Sequence, residues 1–197
     1  MKIIGLTGSI GMGKTETAKM FRNLSVPVFD SDAAVHTLLG PCGDAVNKIE
    51  KTFPDVKVDN YIDRKKLGRK VFGDKGALLQ LENILHPMVS AMRATFVAEN
   101  HDNDIVLFDI PLLFEKGYEN LCHYVVVVSA SADVQKQRVL ARPGMDEKRL
   151  SDILSQQMPV EEKRSKADFL IQTDKGFEYA RDQVLKIINL VRKDINA

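Results

Sequence analysis

The chain has 197 residues, 44% of them hydrophobic, enough to bury one substantial core with room for an inserted subdomain. With 28 basic against 27 acidic residues the net charge is +1, which excludes the broad basic field of a non-specific nucleic-acid or membrane-surface binder and leaves any anion recognition local. Cys42 and Cys122 stand far apart with no zinc-ligand spacing. No leader-like segment and no long apolar run is visible, so the expectation is a cytoplasmic protein, monomeric or weakly homo-oligomeric.

The first predicted element is a strand over Lys2 to Thr7, an apolar run suited to burial on both faces. It leads directly into Gly8-Ser9-Ile10-Gly11-Met12-Gly13-Lys14-Thr15, the spacing G-x-x-x-x-G-K-T. Glycines at these positions let successive N–H groups, through Gly11, Met12, Gly13, Lys14, Thr15 and Glu16, curve around phosphate oxygens. Ala18, Phe21 and Leu24 continue an apolar helical face behind the loop. Lys14 is placed for the β- and γ-phosphates of ATP, and Thr15 for Mg²⁺. A dinucleotide-binding loop would need Gly or Ala at position 16, which is Glu16. A signalling GTPase would carry a late Asn-Lys-x-Asp segment, and there is none.

Val26 to Phe29 reads as a second, weaker strand, followed by Asp30-Ser31-Asp32. Ligands of open parallel sheets bind beyond the strand carboxyl ends. A carboxylate there can accept the proton of an attacking hydroxyl, although Asp and Ser are also favoured helix N-caps. Residues 33–101 far exceed the roughly 10 to 15 that a crossover helix needs, so they form an insertion. It reads as helical, with Asp63 before a basic turn, Leu67, Val71, Leu78, Leu79, Leu81, Ile84 and Leu85 as apolar positions, and a helix restarted at Pro87.

A third strand, Ile105 to Asp109, ends on an acid placed to assist Mg²⁺, and a fourth follows over Tyr124 to Ser129. His123, beside that strand start, reads as structural. Residues 132–166 are helical and charged, with Arg138 and Arg142 on one helix face; such residues are commonly solvated, yet a mobile cover bearing arginines would neutralise transferring phosphate and exclude water. Phe169 to Gln172 completes a five-stranded parallel sheet. A last amphipathic helix carries Phe177, Ala180, Val184, Ile187, Ile188, Val191 and Ile195. The fold class is thus α/β, of the P-loop NTPase type, with a nucleotide-binding core over 1–32, 102–131 and 167–197, an insertion over 33–101 and a lid over 132–166. The chemistry is that of a Mg·ATP-dependent kinase acting on a small-molecule hydroxyl; a nucleoside or nucleotide kinase is an alternative.

Beyond the loop, ordered blocks extend nearly end to end: Val28-Phe29-Asp30-Ser31-Asp32, Ile62-Asp63-Arg64, Leu81 to Pro87, Asp109-Ile110-Pro111-Leu112-Leu113-Phe114-Glu115, Gln137-Arg138, Gln157-Met158-Pro159 and Ala167-Asp168. In these the chain resembles the dephospho-CoA kinase family. The resemblance implies a helical substrate-binding insertion and a lid, and dephospho-CoA as acceptor, phosphorylated on its ribose 3′-hydroxyl. By motif position it implies that Asp32 faces that hydroxyl, that Lys14 and Arg138 clamp phosphate, and that Thr15 contacts Mg²⁺. Arg64, His86, Leu113 and Glu115 would lie toward the acceptor.

Overall fold

The computed structural model describes residues 1–195. In chain order its elements are strand β1 (Lys2–Thr7), helix α1 (Lys14–Asn23), strand β2 (Val28–Asp30), helices α2 (Ser31–Leu39) and α3 (Val46–Thr52), and the short strands β3 (Lys57–Val58) and β4 (Tyr61–Ile62). Helices α4 (Arg64–Val71) and α5 (Lys75–Glu99) follow, then strand β5 (Ile105–Asp109), a 3-10 turn over Tyr118–Leu121 and strand β6 (Tyr124–Ser129). Helices α6 (Ala132–Leu140), α7 (Glu147–Ser155) and α8 (Val160–Ser165), strand β7 (Phe169–Gln172) and helix α9 (Phe177–Ile195) complete the chain. The contacts divide it into two compact units, residues 1–29 with 100 onward, and residues 30–99.

In the first unit the strand order is β2-β5-β1-β6-β7, with β1 parallel to both β5 and β6 and β6 parallel to β7. Side chains alternate across β1. Ile4 and Leu6 join Phe21 of α1 and Val184, Ile188 and Val191 of α9 in one core; each such fully buried aliphatic contributes about 1.5–3 kcal/mol. Gly5 faces the other way, where a Cβ would come within 2.6 Å of both Leu113 Cδ1 and Cys122 Sγ. The loop after β5 is therefore seated directly on the central strand. Beside it, Ile3 N–H donates to His123 Nδ1 at 2.9 Å and His123 N–H to the Ile3 carbonyl at 2.8 Å, a structural role for this imidazole.

The second strand starts two residues later than its apolar run suggests. Val26 spends its N–H on the Phe21 carbonyl, closing α1, and Pro27 has none to give, although its carbonyl accepts from the Leu107 N–H at 2.8 Å; the strand itself runs from Val28.

The second unit departs from the all-helical expectation in two respects. An antiparallel β3–β4 pair turns through Asp59 and Asn60, with Asp59 at φ 50°, a conformation Asp tolerates in tight hairpins. And α5 is one helix of 25 residues that passes through Pro87 rather than restarting there. Leu85, Val89 and Arg93, four apart, form its buried stripe, whereas Pro87 is exposed; the stripe holds the helix together across the missing N–H. Among the described residues no helix is long and apolar enough to cross a membrane.

Candidate active site

Between β1 and α1 the backbone makes the turn that the glycine spacing requires. Gly11 and Gly13 take φ values of 78° and 93°, a region that costs other L-residues about 1–2 kcal/mol. Gly8 has a different reason to lack a side chain, since a Cβ there would lie 2.3 Å from Val128 Cγ2. Met12 N–H donates to the Ser9 carbonyl at 3.2 Å, closing the loop. No side chain caps the start of α1, so the first-turn N–H groups and the positive end of the helix are left for an anion.

The loop is braced from α6 and from the turn after β7. Arg138, in the last turn of α6, donates to Thr173 Oγ1 at 2.8 Å, to the Thr173 carbonyl at 2.7 Å and, at 3.4 Å, to the Gly11 carbonyl. Thr173 Oγ1 in turn donates to the Met12 carbonyl at 2.8 Å, and the Ala130 N–H meets Met12 Sδ at 3.0 Å. Arg138 thus lies against the phosphate loop. Arg142 does not share its helix face: α6 ends at Leu140, the Arg142 N–H folds back onto the Val139 carbonyl at 3.0 Å, and its side chain is exposed beyond the helix.

Lys14 Nζ lies 2.6 Å from Asp109 Oδ1, with the Asp109 side chain only 5% exposed. The strand-end acid and the loop lysine therefore form one unit at the carboxyl edge of the sheet. Thr15 is exposed on the first turn of α1, and Glu16, also exposed, pairs with Lys19 at 2.7 Å.

The two loop residues after β5 that were expected near the acceptor behave differently from that expectation. Leu113 has 0% exposure and packs over Gly5, so only its backbone is available to a ligand. Glu115 is tied up by its own protein: Oε1 accepts from the Met158 N–H at 2.8 Å and meets Lys163 Nζ at 2.8 Å. Lys163 has no exposed surface, and Glu115 Oε2 is buried without a hydrogen-bond partner. Burial alone would raise the Glu115 carboxyl; the bonds from Lys163 and Met158 outweigh it and hold the group below its ordinary value of 4.5.

Because removing one partner strands the other in a dry site, Lys163→Met is expected to cost about 3–5 kcal/mol, roughly 10 °C of melting temperature in a chain of this size. The carboxyl is depressed in the folded state, so its stabilisation is present above pH 4.5 and is lost as pH falls through the lower folded value. Thermal melts of wild type and Glu115→Gln at falling pH check the sign: only wild type should show this loss.

In the second unit, Asp30 is the N-cap of α2 and accepts from the Ala33 N–H at 2.9 Å. Asp32 sits exposed in the first turn of that helix with no capping duty. Arg64 begins α4, capped by Asp63, and its Nη1 lies 3.3 Å from His36 Nδ1. His86 is exposed on α5. Gln135, Gln157, Lys163 and Thr173 were not singled out as site residues, yet each contacts the phosphate loop or braces what does.

Three comparisons bear on this geometry. The family profile described as Dephospho-CoA kinase matches residues 2–178. A dephospho-CoA kinase from Mesorhizobium japonicum is 52% identical over 194 residues, 98% of each chain. Among solved structures, one from Thermus thermophilus superposes with a TM-score of 0.86 at 33% identity over 96% of each chain. The dephospho-CoA kinase from Campylobacter jejuni superposes with a TM-score of 0.67 at 27% identity, over 96% of this chain and 97% of its own.

Proposed function

The chain belongs to the dephospho-CoA kinase family, and from that premise we propose that it transfers the γ-phosphoryl group of ATP to the ribose 3′-hydroxyl of dephospho-CoA, giving coenzyme A and ADP. The observation that carries the reading is the glycine loop followed at once by Lys14, paired with Asp109 at the sheet edge, in a chain that matches the family over residues 2–178. In the reaction the acceptor hydroxyl gives its proton to Asp32, its oxygen attacks the γ-phosphorus, and the bond to the ADP oxygen breaks. Lys14 and the cradle N–H groups hold the phosphates while charge spreads over the transferring group. Arg138 adds positive charge beside Gly11; two of its nitrogens hold Thr173, and a guanidinium has five donors in all.

Arg142, exposed past α6, is read as a further contact of ATP. Arg64, His86, the backbone at Leu113 and the loop held by Glu115 are read as contacts of the acceptor. Among the described residues no group of three or more His, Cys, Asp or Glu could hold a metal ion. Mg²⁺ usually takes only one or two protein oxygens and completes its shell with phosphate and water. Thr15 and Asp109 offer hard oxygens of the kind it prefers and would hold it, directly or through water. When bound, Mg²⁺ neutralises β- and γ-phosphate oxygens. The working setting is the cytoplasm and the partners are small molecules, with the chain a monomer or weak homo-oligomer; the balanced charge gives nucleic acid no basic field to follow.

Incubation with Mg·ATP and a panel of acceptors tests the proposal. Dephospho-CoA should yield ADP and coenzyme A in equal amounts and outpace nucleoside monophosphates. Faster turnover of a nucleoside monophosphate would overturn it.

A further inference from the structure

The two peptides that flank Ile10 are each held by a side chain that the reaction described above does not use, Ser9–Ile10 through its N–H and Ile10–Gly11 through its carbonyl. Gln157 Oε1, from the connector between α7 and α8, accepts from the Ile10 N–H at 3.1 Å. Gln135 Nε2, from α6, donates to the Ile10 carbonyl at 2.8 Å, and Gln135 is only 8% exposed. A trans peptide is planar, so the Ile10 carbonyl and the Gly11 N–H belong to one rigid group and point in opposite directions. A carbonyl fixed on Gln135 therefore aims the Gly11 N–H away from α6. The glycines that permit the cradle also make it easy to distort, because Gly11 and Gly13 populate positive and negative φ about equally readily. Something outside the loop has to choose.

Gln157 is itself held. The next residue, Met158, donates its N–H to Glu115 Oε1, the same oxygen that meets the fully buried Lys163. The connector is thus pinned to the loop after β5 at one residue and to the phosphate loop at its neighbour.

We propose that Gln157 and Gln135 are positioning residues that fix the successive Ser9–Ile10 and Ile10–Gly11 peptides, and with them the phosphate-binding orientation of the Gly11 N–H, with the Glu115–Lys163 pair holding Gln157 in place. The proposal rests on the reading of residues 8–15 as a phosphate cradle and is independent of which acceptor the enzyme uses.

The test is Gln135→Met and Gln157→Met, which keep side-chain length and remove the hydrogen bond, with nucleotide affinity measured by titration calorimetry in the absence of acceptor. Each variant is expected to bind ATP about five- to tenfold more weakly, the scale of one hydrogen bond. Affinity for AMP, which lacks the β- and γ-phosphates, should stay within about twofold, and the KM for the acceptor should not change. Unaltered ATP affinity in the folded variants would overturn the proposal. So would equal losses for ATP and AMP together with a lowered melting temperature, the signature of general loosening. Should Gln135→Met not fold, Gln135→Leu takes its place, and Gln157→Met, in a partly exposed connector, tests the hold on Ser9–Ile10 on its own. Wild-type protein that binds ATP yet leaves dephospho-CoA unconverted would sink the functional reading only; the two variants' affinities would still settle the grip.

Discussion

Asp32→Asn is expected to lower phosphoryl transfer by about 10²- to 10⁴-fold while ATP binding and folding stay close to wild type. The separation follows from the neighbouring residue. Asp30, not Asp32, satisfies the first-turn N–H of α2, so the helix start does not need Asp32 for a hydrogen bond. What α2 loses is one negative charge near its positive end, about 0.3–1 kcal/mol at an exposed position. Asn has the shape of Asp but cannot accept a proton at neutral pH, so the substitution removes basicity and little else. Steady-state kinetics with varied ATP and varied dephospho-CoA, beside a melting curve, checks it: kcat should fall, with the KM for ATP and the melting temperature nearly fixed. Turnover within about threefold of wild type would leave Asp32 only its favourable charge at the start of α2.

What could be read from the chain before folding depended on whether a residue acts through its neighbours in sequence or through distant ones. Lys2–Thr7, Ile105–Asp109 and Tyr124–Ser129 announce themselves because strands covered on both faces must be apolar throughout, and the phosphate loop does because its mechanism is a backbone shape that needs glycine at fixed spacing. The β3–β4 pair, with two residues per strand, is too short to show any alternation. Pro87 carries a stop signal that the buried stripe of α5 overrides. Lys163 lies in the charged run Glu161 to Lys166, which reads as a solvated face, yet Lys163 is the one residue there with no exposed surface, because Glu115 meets it from 48 positions away in the chain. Gln135, Gln157 and Thr173 reach the loop across separations of 125, 147 and 161 residues. Glutamine and threonine are ordinary surface residues by type; Gln157 stands in one of the ordered sequence blocks, but only the folded contacts show what it and the other two hold.

Lys14→Met should reduce phosphoryl transfer by at least about 10²- to 10³-fold, the usual result of removing one preorganised charge stabiliser from a transition state. It should also have a second effect, on stability, that separates the roles of this lysine. Lys14 Nζ and Asp109 Oδ1 lie 2.6 Å apart with side chains 17% and 5% exposed, so the ammonium offsets a carboxylate that the end of β5 holds in a nearly dry place. Taking away one member of such a pair costs more than the pair contributes net, because the remaining charge loses its compensation. The single variant is therefore expected to melt several degrees lower, and Lys14→Met with Asp109→Asn to recover most of that loss, as the uncompensated charge is gone. Transfer activity should not recover with it, because the neutral pair supplies no positive charge to the β- and γ-phosphates. The double-mutant cycle thus reads two couplings from the same residues, one in melting temperature and one in kcat. Parallel recovery of both would mean that Lys14 acts by holding the loop in shape; recovery of stability alone, with Asp109→Asn by itself keeping clearly more activity than the double variant, assigns its ammonium to the phosphates.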